Sequence, residues 1–326
     1  MILTVGIPTF NSMTTLKETL QSIQNQSINL RENNIEILIS DNGSSYNIAR
    51  ELSLIFPTEF YNSFRINVNE SNQGYDYNLV KLMELASGKY VKILADDDVL
   101  EKTYLENLIS NIYAKEFDVL IDNFTFMSSR LDSIIAPSWF SPNASENFDN
   151  QIEFLTAINH AYGQVSSLTF RRDLIFNLRK PECISNYIHV YWFLSLFEEF
   201  KIIIETKVLL KVRQGSPNFS GDGIVDKITP LGGITAIIDA NLLNTNLKQQ
   251  LIIKQKVYCL QQLSSISNQS LFARYVIARK FVKYFRFSLK FWLFWLPFLL
   301  MPNVSRKVFK KIRKSIISLK KFASEK

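Results

Sequence analysis

Apolar and polar positions alternate along the first hundred residues in blocks typical of strands and helices in turn. Apolar runs predict strands at residues 2–9, 35–40, 65–68 and 90–95. Between them, helical spacing of apolar residues predicts a helix that starts at Asn11-Ser12, with Leu16, Leu20 and Ile23 on one face, and helices over residues 48–55 and 77–86. Strands that alternate with helices form mostly parallel sheets with right-handed crossovers. The pattern therefore predicts an α/β fold.

The remaining chain continues this pattern less regularly. We expect strands near residues 118–126, 166–170 and 202–213, the last being one strand or two, and a loop or mobile flap over residues 128–150. Helices are predicted at 104–113, 152–158 and 186–200, a loop at 214–223, and helical structure from about 229. We divide the chain into an α/β domain over residues 1–228, with halves 1–100 and 101–228, and a helical region over residues 229–326.

Composition excludes some classes of protein. Hydrophobic residues make up 47% of the 326 residues, which is enough for a sizeable core. Two cysteines, Cys183 and Cys259, and two histidines, His160 and His189, have no metal-ligand spacing, so neither a disulfide framework nor a zinc site is expected. The first residues show an apolar strand and no basic leader, which predicts a cytoplasmic protein.

The charge is distributed unevenly. The chain carries a net charge of +7, yet residues 271–326 hold fifteen Lys or Arg and one acid, Glu325. A basic segment attached to an acidic body indicates a polyanionic partner.

Polar residues stand at the predicted end of each of the first four strands. They are Pro8-Thr9-Phe10-Asn11, Asp41-Asn42-Gly43-Ser44, Asn72-Gln73-Gly74 with Asn78, and Asp96-Asp97-Asp98. Because the carboxyl ends of parallel strands face the ligand crevice, the aspartates predict a site for a divalent cation and its phosphates. The alternative is a solvated turn in which Asp98 caps a helix that starts at Val99.

The order and spacing of these signals resemble the family-2 glycosyltransferases, over roughly residues 2 to 215. The segments 72–78 and 86–98 are similar to those of bacterial enzymes that build surface polysaccharides such as O-antigen or capsule. The resemblance implies a GT-A fold, a nucleotide-diphosphate sugar as donor, with UDP favoured, a Mn²⁺ or Mg²⁺ cofactor, and a lipid-linked saccharide as acceptor.

Physical reasons accompany the roles that the resemblance implies for the aspartates. Glycosyl transfer leaves a dianionic diphosphate, which a hard cation held by carboxylates stabilises. We expect Asp98 to contact the metal directly and Asp96 to face the ribose or the metal. Asp97 either orders its neighbours or is solvated.

Other strand-end residues have a binding and a structural interpretation. The resemblance implies that Asp41 contacts the nucleobase, although an Asx-turn to Gly43 and Ser44 is the alternative. Pro8, Thr9 and Asn11 are expected beside the base and ribose, but Thr9 and Asn11 are also plausible helix caps. Gly74 is either a ligand contact or a plain turn. Asn78 is a candidate polar contact to the nucleotide.

The catalytic base is less well defined. An inverting transfer needs a group that takes the proton of the acceptor hydroxyl. Relatives often place acids at the start of the helix that corresponds to residues 186–192, but this segment contains none, so His189 is the candidate base. Glu198, Glu199 and Asp222 are the reserves. Arg213 is expected to close over the diphosphate, or else to be a surface arginine.

The basic segment contains an uncharged apolar stretch, residues 291–301, which is too short to span a bilayer, since a spanning helix needs about 20 residues. We expect residues 274–321 to lie at an anionic membrane surface on its cytoplasmic side. A hydrophobic helical hairpin that packs on the catalytic domain or on a second subunit is the alternative. Nucleic acid is not an expected partner, and the oligomeric state stays open.

The competing functions are a sugar nucleotidyltransferase and a non-catalytic scaffold for polysaccharide assembly.

Overall fold

The structure is a computed structural model, and it describes residues 1–144, 151–178, 186–214, 230–263 and 270–301. The chain forms two compact units. Unit 1 comprises Met1–Phe219 and Thr235–Gln249, and unit 2 comprises Ser220–Ile234 and Gln250–Lys326. Asp222, most of the predicted loop 214–223 and the basic residues beyond position 301 lie outside the described residues.

The first four strands form a parallel sheet in the order β3-β2-β1-β4. The alternating pattern of the sequence is present almost residue for residue. The elements are β1 (Leu3–Thr9), α1 (Met13–Gln24), β2 (Ile35–Asp41), α2 (Ile48–Ile55), α3 (Thr58–Tyr61), β3 (Phe64–Val68), α4 (Tyr75–Leu85) and β4 (Tyr90–Ile93).

The same sheet continues through β8, β6, β9 and β5, with β7 paired to β6. Strands β6 and β9 pair in parallel, whereas β8, β5 and β7 run antiparallel to their neighbours. The elements are β5 (Val99–Leu100), α5 (Tyr104–Ala114), β6 (Val119–Met127), β7 (Ile134–Ala136), α6 (Gln151–Ala157), β8 (Leu168–Arg171), α7 (Arg172–Phe176), α8 (Ile188–Leu196) and β9 (Ile202–Arg213).

Two short strands depart from the sequence prediction. Residues 99–100 form β5 against Leu210 and Lys211 of β9, and β7 lies within the segment predicted as a loop. Both strands are only two or three residues long and exist through pairing, β5 with the distant β9 and β7 with the end of β6. Local periodicity carries no signal for such strands.

Apolar helix faces cover the sheet and form the core of unit 1. Helix α1 buries Leu16, Leu20 and Ile23, while α4 buries Leu79 and Leu82. Pro8 is accommodated inside β1 because pairing with β4 ends at Gly6, so its missing N–H leaves no bond to β4 unmade. The strand ends, with their polar residues, are thereby fixed at one edge.

The helical region begins with α9 (Pro230–Asp239) and α10 (Thr245–Gln262), followed by α11 (Leu271–Phe285), a π-helical turn (Phe291–Trp295) and α12 (Leu296–Leu300). Within unit 2, one apolar cluster joins these elements. Its members are Leu231, Ile234, Cys259, Leu263, Ile277, Ala278, Phe281, Phe285, Phe291 and Leu299. No helix in the described ranges is long and apolar enough to cross a membrane.

Candidate active site

The three aspartates form a tight turn between β4 and β5, which we call the aspartate turn (residues 96–98). The N–H of Asp98 donates to the carbonyl of Ala95 (3.2 Å), and Thr19 Oγ1 donates to the carbonyl of Asp98 (2.8 Å). Strand β5 follows at once, and the next helix begins only at Tyr104. The alternative in which Asp98 caps a helix at Val99 is therefore wrong.

Asp98 is buried, with 3% of its surface exposed. Its Oδ1 accepts a hydrogen bond from the backbone N–H of Arg213 (2.9 Å). Burial and the charge of Asp97 raise the pKa of Asp98 well above its usual range, against the opposing effects of Ser166, the Arg213 N–H and Lys92. The protein thus holds this carboxylate where its negative charge is poorly compensated.

Asp96 is the second carboxylate of the turn whose ionised form the protein disfavours. Burial, followed by the charge of Asp97, raises the pKa of Asp96 to about 7, while the Thr9 and Ser12 hydroxyls and the Phe10 N–H lower it. The aspartate turn therefore meets the end of β1, as the sequence predicted from the position of both segments at strand ends.

Arg213 lies behind the aspartate turn. Its Nε donates to the carbonyl of Asp97 (2.9 Å) and its Nη1 to the carbonyl of Ser129 (2.7 Å), and the guanidinium forms a salt bridge with Glu18. The side chain is buried, so the alternative of a surface arginine is wrong. In this conformation Arg213 fixes the shape of the turn.

A buried ion pair between β4 and β6 supports the aspartate turn. Lys92 Nζ, fully buried in β4, lies 2.6 Å from Asp122 Oδ2 of β6 and also donates to the carbonyl of Ser166. Tyr104 donates to the same Asp122 oxygen (2.7 Å). The Ser166 hydroxyl in turn accepts from the N–H of Ala95 (2.9 Å). The pair thus connects the middle of the sheet to the residue before the aspartates.

The loops after β1 and β2 are joined to each other. Asn11, at a positive φ of 52°, donates its N–H to Ser44 Oγ (2.8 Å) and accepts from the Ser45 N–H (2.9 Å). Asp41, fully buried, accepts from the Ser44 hydroxyl (2.5 Å) and, more weakly, from its N–H, and burial raises the pKa of Asp41. Asp41 therefore makes the predicted turn contact to Ser44, and its contact with a nucleobase stays a prediction.

The helix-cap alternative for Thr9 and Asn11 is wrong, because the residue at the start of α1 is Ser12. Thr9 is buried at the end of β1. Pro8 is buried beside it in the same strand. All three strand-end residues lie at the edge that also carries the aspartate turn.

Asn42 and Asn78 hold the loop that contains Gly74. Asn42 Oδ1 accepts from the Gln73 N–H (3.1 Å), and Asn42 Nδ2 donates to the Gly74 carbonyl (3.1 Å). Asn78 is buried, donates to the Ser40 carbonyl (2.8 Å) and accepts from the Ser40 hydroxyl (2.7 Å). Asn78 thus supports the end of β2, and Gly74, at φ 91°, starts α4.

His189 is buried in the first turn of α8. Its Nε2 lies 3.2 Å from the carbonyl of Gly163, and its ring packs between Tyr187 and Tyr75, with ring centroids 6.0 and 6.4 Å away. Burial lowers the pKa of His189 to about 4, so the imidazole is neutral at neutral pH. Its role as base stays a prediction.

The reserve bases lie elsewhere. Glu198 accepts hydrogen bonds from the Asn244 N–H (3.0 Å) and from the Leu243 N–H, so it caps the start of α10. Glu199 is exposed at the end of the segment after α8. Asp222 is outside the described residues.

The donor set of the aspartate turn suits a hard divalent cation. Asp96 and Asp98 offer carboxylate oxygens whose charge the protein leaves poorly compensated. Magnesium sites commonly use one or two carboxylates, with substrate phosphates and water completing the shell. In the described ranges, no group of three or more His, Cys, Asp or Glu side chains has a metal-holding arrangement. A cation here would therefore depend on oxygens of the substrate.

Sequence reasoning missed the supporting residues Lys92, Asp122 and Glu18. The signal for the first two was present, because each is a single charged residue inside an apolar strand. Charged residues are rarely fully buried unless they are paired. The pairing partner, however, is known only from the fold.

Comparison with known proteins identifies the family. The sequence model described as Glycosyl transferase family 2 matches residues 4–175, which include β1 to β8 and the aspartate turn. The chain belongs to glycosyl transferase family 2. It is a glycosyltransferase, and the resemblance drawn from the strand-end residues is confirmed.

Two curated relatives of this glycosyltransferase are bacterial proteins. It is 26% identical over 242 residues to the abequosyltransferase RfbV of Salmonella typhimurium, covering 70% of this chain and 71% of that protein. It is 32% identical over 107 residues to a Campylobacter jejuni enzyme named GalNAc(5)-diNAcBac-PP-undecaprenol beta-1,3-glucosyltransferase, covering 33% of each chain.

Solved structures confirm the GT-A fold of the glycosyltransferase. Residues 1–349 of TarS from S. aureus align with a TM-score of 0.60 at 15% identity, over 86% of this chain and 81% of that one. The mannosyltransferase PcManGT from Pyrobaculum calidifontis, solved with GDP-Man and Mn²⁺, aligns with a TM-score of 0.53 at 13% identity, over 95% and 87%. At these identities the likeness concerns the fold.

Proposed function

We propose that this glycosyltransferase moves a sugar, with inversion, from a nucleotide-diphosphate sugar to a lipid-linked saccharide in the synthesis of a bacterial surface polysaccharide. The aspartate turn carries the proposal, because buried Asp98 and half-buried Asp96, both with raised pKa values, lie at the strand edge where GT-A enzymes bind their donors. The family membership favours this activity over a sugar nucleotidyltransferase or a non-catalytic scaffold.

The leaving diphosphate is the group that needs stabilisation. Asp98 and Asp96 would hold Mn²⁺ or Mg²⁺, and the cation would offset charge on the diphosphate as the glycosidic bond breaks. TarS has been solved with UDP-GlcNAc and the mannosyltransferase with GDP-Man and Mn²⁺. These complexes support a nucleotide sugar and a cation for the present fold.

The nucleotide would lie over the joined loops of β1 and β2. Buried Asp41 is our candidate for an N–H of the base, with UDP favoured, and Pro8, Thr9 and Asn11 would border the base and ribose. Gly74, Asp97 and Asn78 would shape the same side. Arg213 would reach the diphosphate only by leaving Glu18, so its role in this conformation is to position the turn.

Relatives and the exposed surface of unit 2 support the proposed acceptor class. The Campylobacter relative is named for a substrate on PP-undecaprenol, and RfbV for transfer of abequose. In unit 2, Phe287, Leu293 and Phe294 expose 89, 61 and 54% of their surface beside exposed Arg286 and Lys290. Aromatic and aliphatic side chains next to cations suit the interface of an anionic membrane.

One face of this segment packs within unit 2. Phe291 and Leu299 belong to the apolar cluster of unit 2, and Arg274 is buried with its guanidinium on the carbonyls of Leu299 and Met301. The other face carries the exposed aromatics. We propose that this exposed face meets the cytoplasmic surface of the cell membrane.

Titration calorimetry of the full chain with UDP, GDP and CDP, each with and without Mn²⁺, tests the proposal. One nucleotide should bind in a metal-dependent manner, and Asp98→Asn should weaken that binding by about 30-fold or more, which corresponds to about 2 kcal/mol. Asp118→Asn is the matched control, because Asp118 is also buried but lies at the amino end of β6 beside Arg171. Absence of metal-dependent binding to the folded wild type would contradict the proposal.

A further inference from the structure

Asp76 belongs to the first turn of α4, but its carboxylate is bound to the start of another helix. Its Oδ2 accepts the N–H of Asn186 (3.0 Å) and its Oδ1 accepts the N–H of Ile188 (3.2 Å). The carboxylate therefore lies at the amino terminus of α8, where the helix dipole favours negative charge. It is only partly buried, so solvent and ligands reach it.

The neighbouring Tyr75 connects this position to the aspartate turn. Burial, followed by the charges of Asp76, Asp97, Asp96 and Asp98, raises the pKa of Tyr75 well above its usual range. Asp76, in the first turn of the helix that follows β3, and the aspartate turn, which follows β4, both lie at the carboxyl edge of the parallel sheet.

A second observation at the same place indicates a polar ligand. His189 is 96% buried against Tyr75, since only 4% of its surface is exposed, and its Nδ1 has no hydrogen-bond partner among the described residues. Buried polar atoms are normally satisfied by protein, water or ligand. If Nε2 donates to the Gly163 carbonyl, Nδ1 carries no hydrogen and is an acceptor. Nδ1 is therefore available to a hydroxyl group.

The described part of α8 and its approach, residues 186–196, contains no carboxylate. Asp76 supplies one from α4 at this point. Glu198 is engaged at the start of α10, and His189 is a weak base, because burial lowers its pKa to about 4. Among the described candidates, Asp76 is only partly buried, lies at the same sheet edge as the aspartate turn, and has on each oxygen a second lone pair besides the one that accepts from α8.

We propose that Asp76 is the general base of the glycosyl transfer, an inference that rests on the proposed function. The acceptor hydroxyl loses its proton to a carboxylate oxygen of Asp76 as its own oxygen forms a bond to the anomeric carbon. The bond from that carbon to the diphosphate oxygen breaks, and the electron pair leaves with the nucleoside diphosphate. No further reactant is required.

The protonation behaviour of Asp76 agrees with this role. Burial raises the pKa of Asp76 to about 6, against the opposing N–H groups of Ile188, Asn186 and Tyr187. A base is most effective when its pKa is near the working pH. Tyr75, on the same helix, is influenced by the charge of Asp76, and His189, which packs against Tyr75, is neutral. The carboxylate is thus mostly ionised at pH 7 and accepts a proton more readily than an exposed aspartate does.

The substitution Asp76→Asn tests the proposal, because the amide keeps the size of the side chain and one oxygen for the N–H groups of α8. Turnover is measured as nucleoside diphosphate released from the UDP-, GDP- or CDP-sugar that matches the nucleotide bound best, with water as the acceptor. We expect kcat to fall by about 10²- to 10⁴-fold while metal-dependent binding of the nucleotide stays within about twofold of the wild type.

Glu36→Gln is the matched control. Glu36 also accepts a backbone N–H from another segment, that of Ser87 (2.9 Å), but lies at the amino end of β2. Its substitution should leave kcat unchanged. Equal losses of kcat in both variants, or loss of nucleotide binding in Asp76→Asn, would show that Asp76 only caps the start of α8. Either result would overturn the proposal.

His189→Gln separates the two candidate bases. If it abolishes turnover while Asp76→Asn retains it, the imidazole is the base and our proposal is wrong. These outcomes differ from failure of the proposed function itself, in which the wild type would show neither metal-dependent nucleotide binding nor turnover.

Discussion

At the scale of single residues, the side chains at the strand edge are held in place mainly by contacts with one another. Asp98 is held by the Arg213 backbone, Arg213 by Glu18, and the segment before the turn by Ser166 and Lys92. Each of these contacts joins residues far apart in the sequence. The charge of the fully buried Lys92 is tolerated because Asp122 and Tyr104 compensate it.

Lys92→Met should therefore destabilise the protein strongly. Removal of one partner leaves the other buried and unpaired, so we expect the free energy of unfolding to fall by about 3–5 kcal/mol, measured by urea denaturation. The double variant Lys92→Met/Asp122→Asn should recover part of this loss because the orphaned charge is removed as well.

Lys89→Met serves as the control for this pair, since Lys89 is exposed and precedes the same strand. Its effect should stay within about 0.5 kcal/mol. A loss in Lys92→Met no larger than that of Lys89→Met would show that the ion pair does not support the sheet.

At the scale of elements, the loop before α4 depends on one glycine. Gly74 adopts φ 91° and ψ 161°, a conformation open essentially to glycine alone. A Cβ at this position would meet no atom within 4 Å, so the requirement is for backbone conformation and not for space. This finding explains the position of Gly74 at the start of α4.

Gly74→Ala should accordingly destabilise the protein by about 1–3 kcal/mol, through backbone strain alone. Gly163→Ala is the matched control, because a Cβ there also meets nothing within 4 Å and the backbone has no positive φ. Thermal or urea unfolding of both variants measures the difference. A Gly74 variant as stable as the Gly163 variant would refute the strain argument.

At the scale of the whole molecule, the structure changes how membrane binding is tested. Deletion of residues 271–326 would remove Phe281 and Phe291 from the apolar cluster of unit 2, and so would unfold what it is meant to probe. Substitution of exposed residues avoids this problem. Phe287, Leu293 and Phe294 are the suitable positions.

The triple substitution of these three residues by serine should lower binding to vesicles of equal parts phosphatidylglycerol and phosphatidylcholine by roughly tenfold or more. Co-sedimentation measures the bound fraction. The control replaces three exposed apolar residues of unit 1, Leu54, Ile134 and Phe176, which should leave binding unchanged. Equal binding by both variants and the wild type would instead favour another partner for this face.

The sequence determined the alternating strands and helices of the first half, because long apolar periods are a local property that survives in any context. It also determined the family, since each of the four strand-end signals is a short local motif and they follow one another in a fixed order along the chain. The site edge followed from these two facts, because parallel strands bring their carboxyl ends together.

Only the tertiary structure decided what depends on distant partners. Strand β5 exists through β9, Lys92 is tolerated through Asp122, and Asp76 reaches α8 across 110 residues of chain. Sequence reasoning looked for an acid within the segment that forms α8 and found only His189. The fold supplies the carboxylate from α4, because proximity in a packed sheet is set by topology and not by distance along the chain.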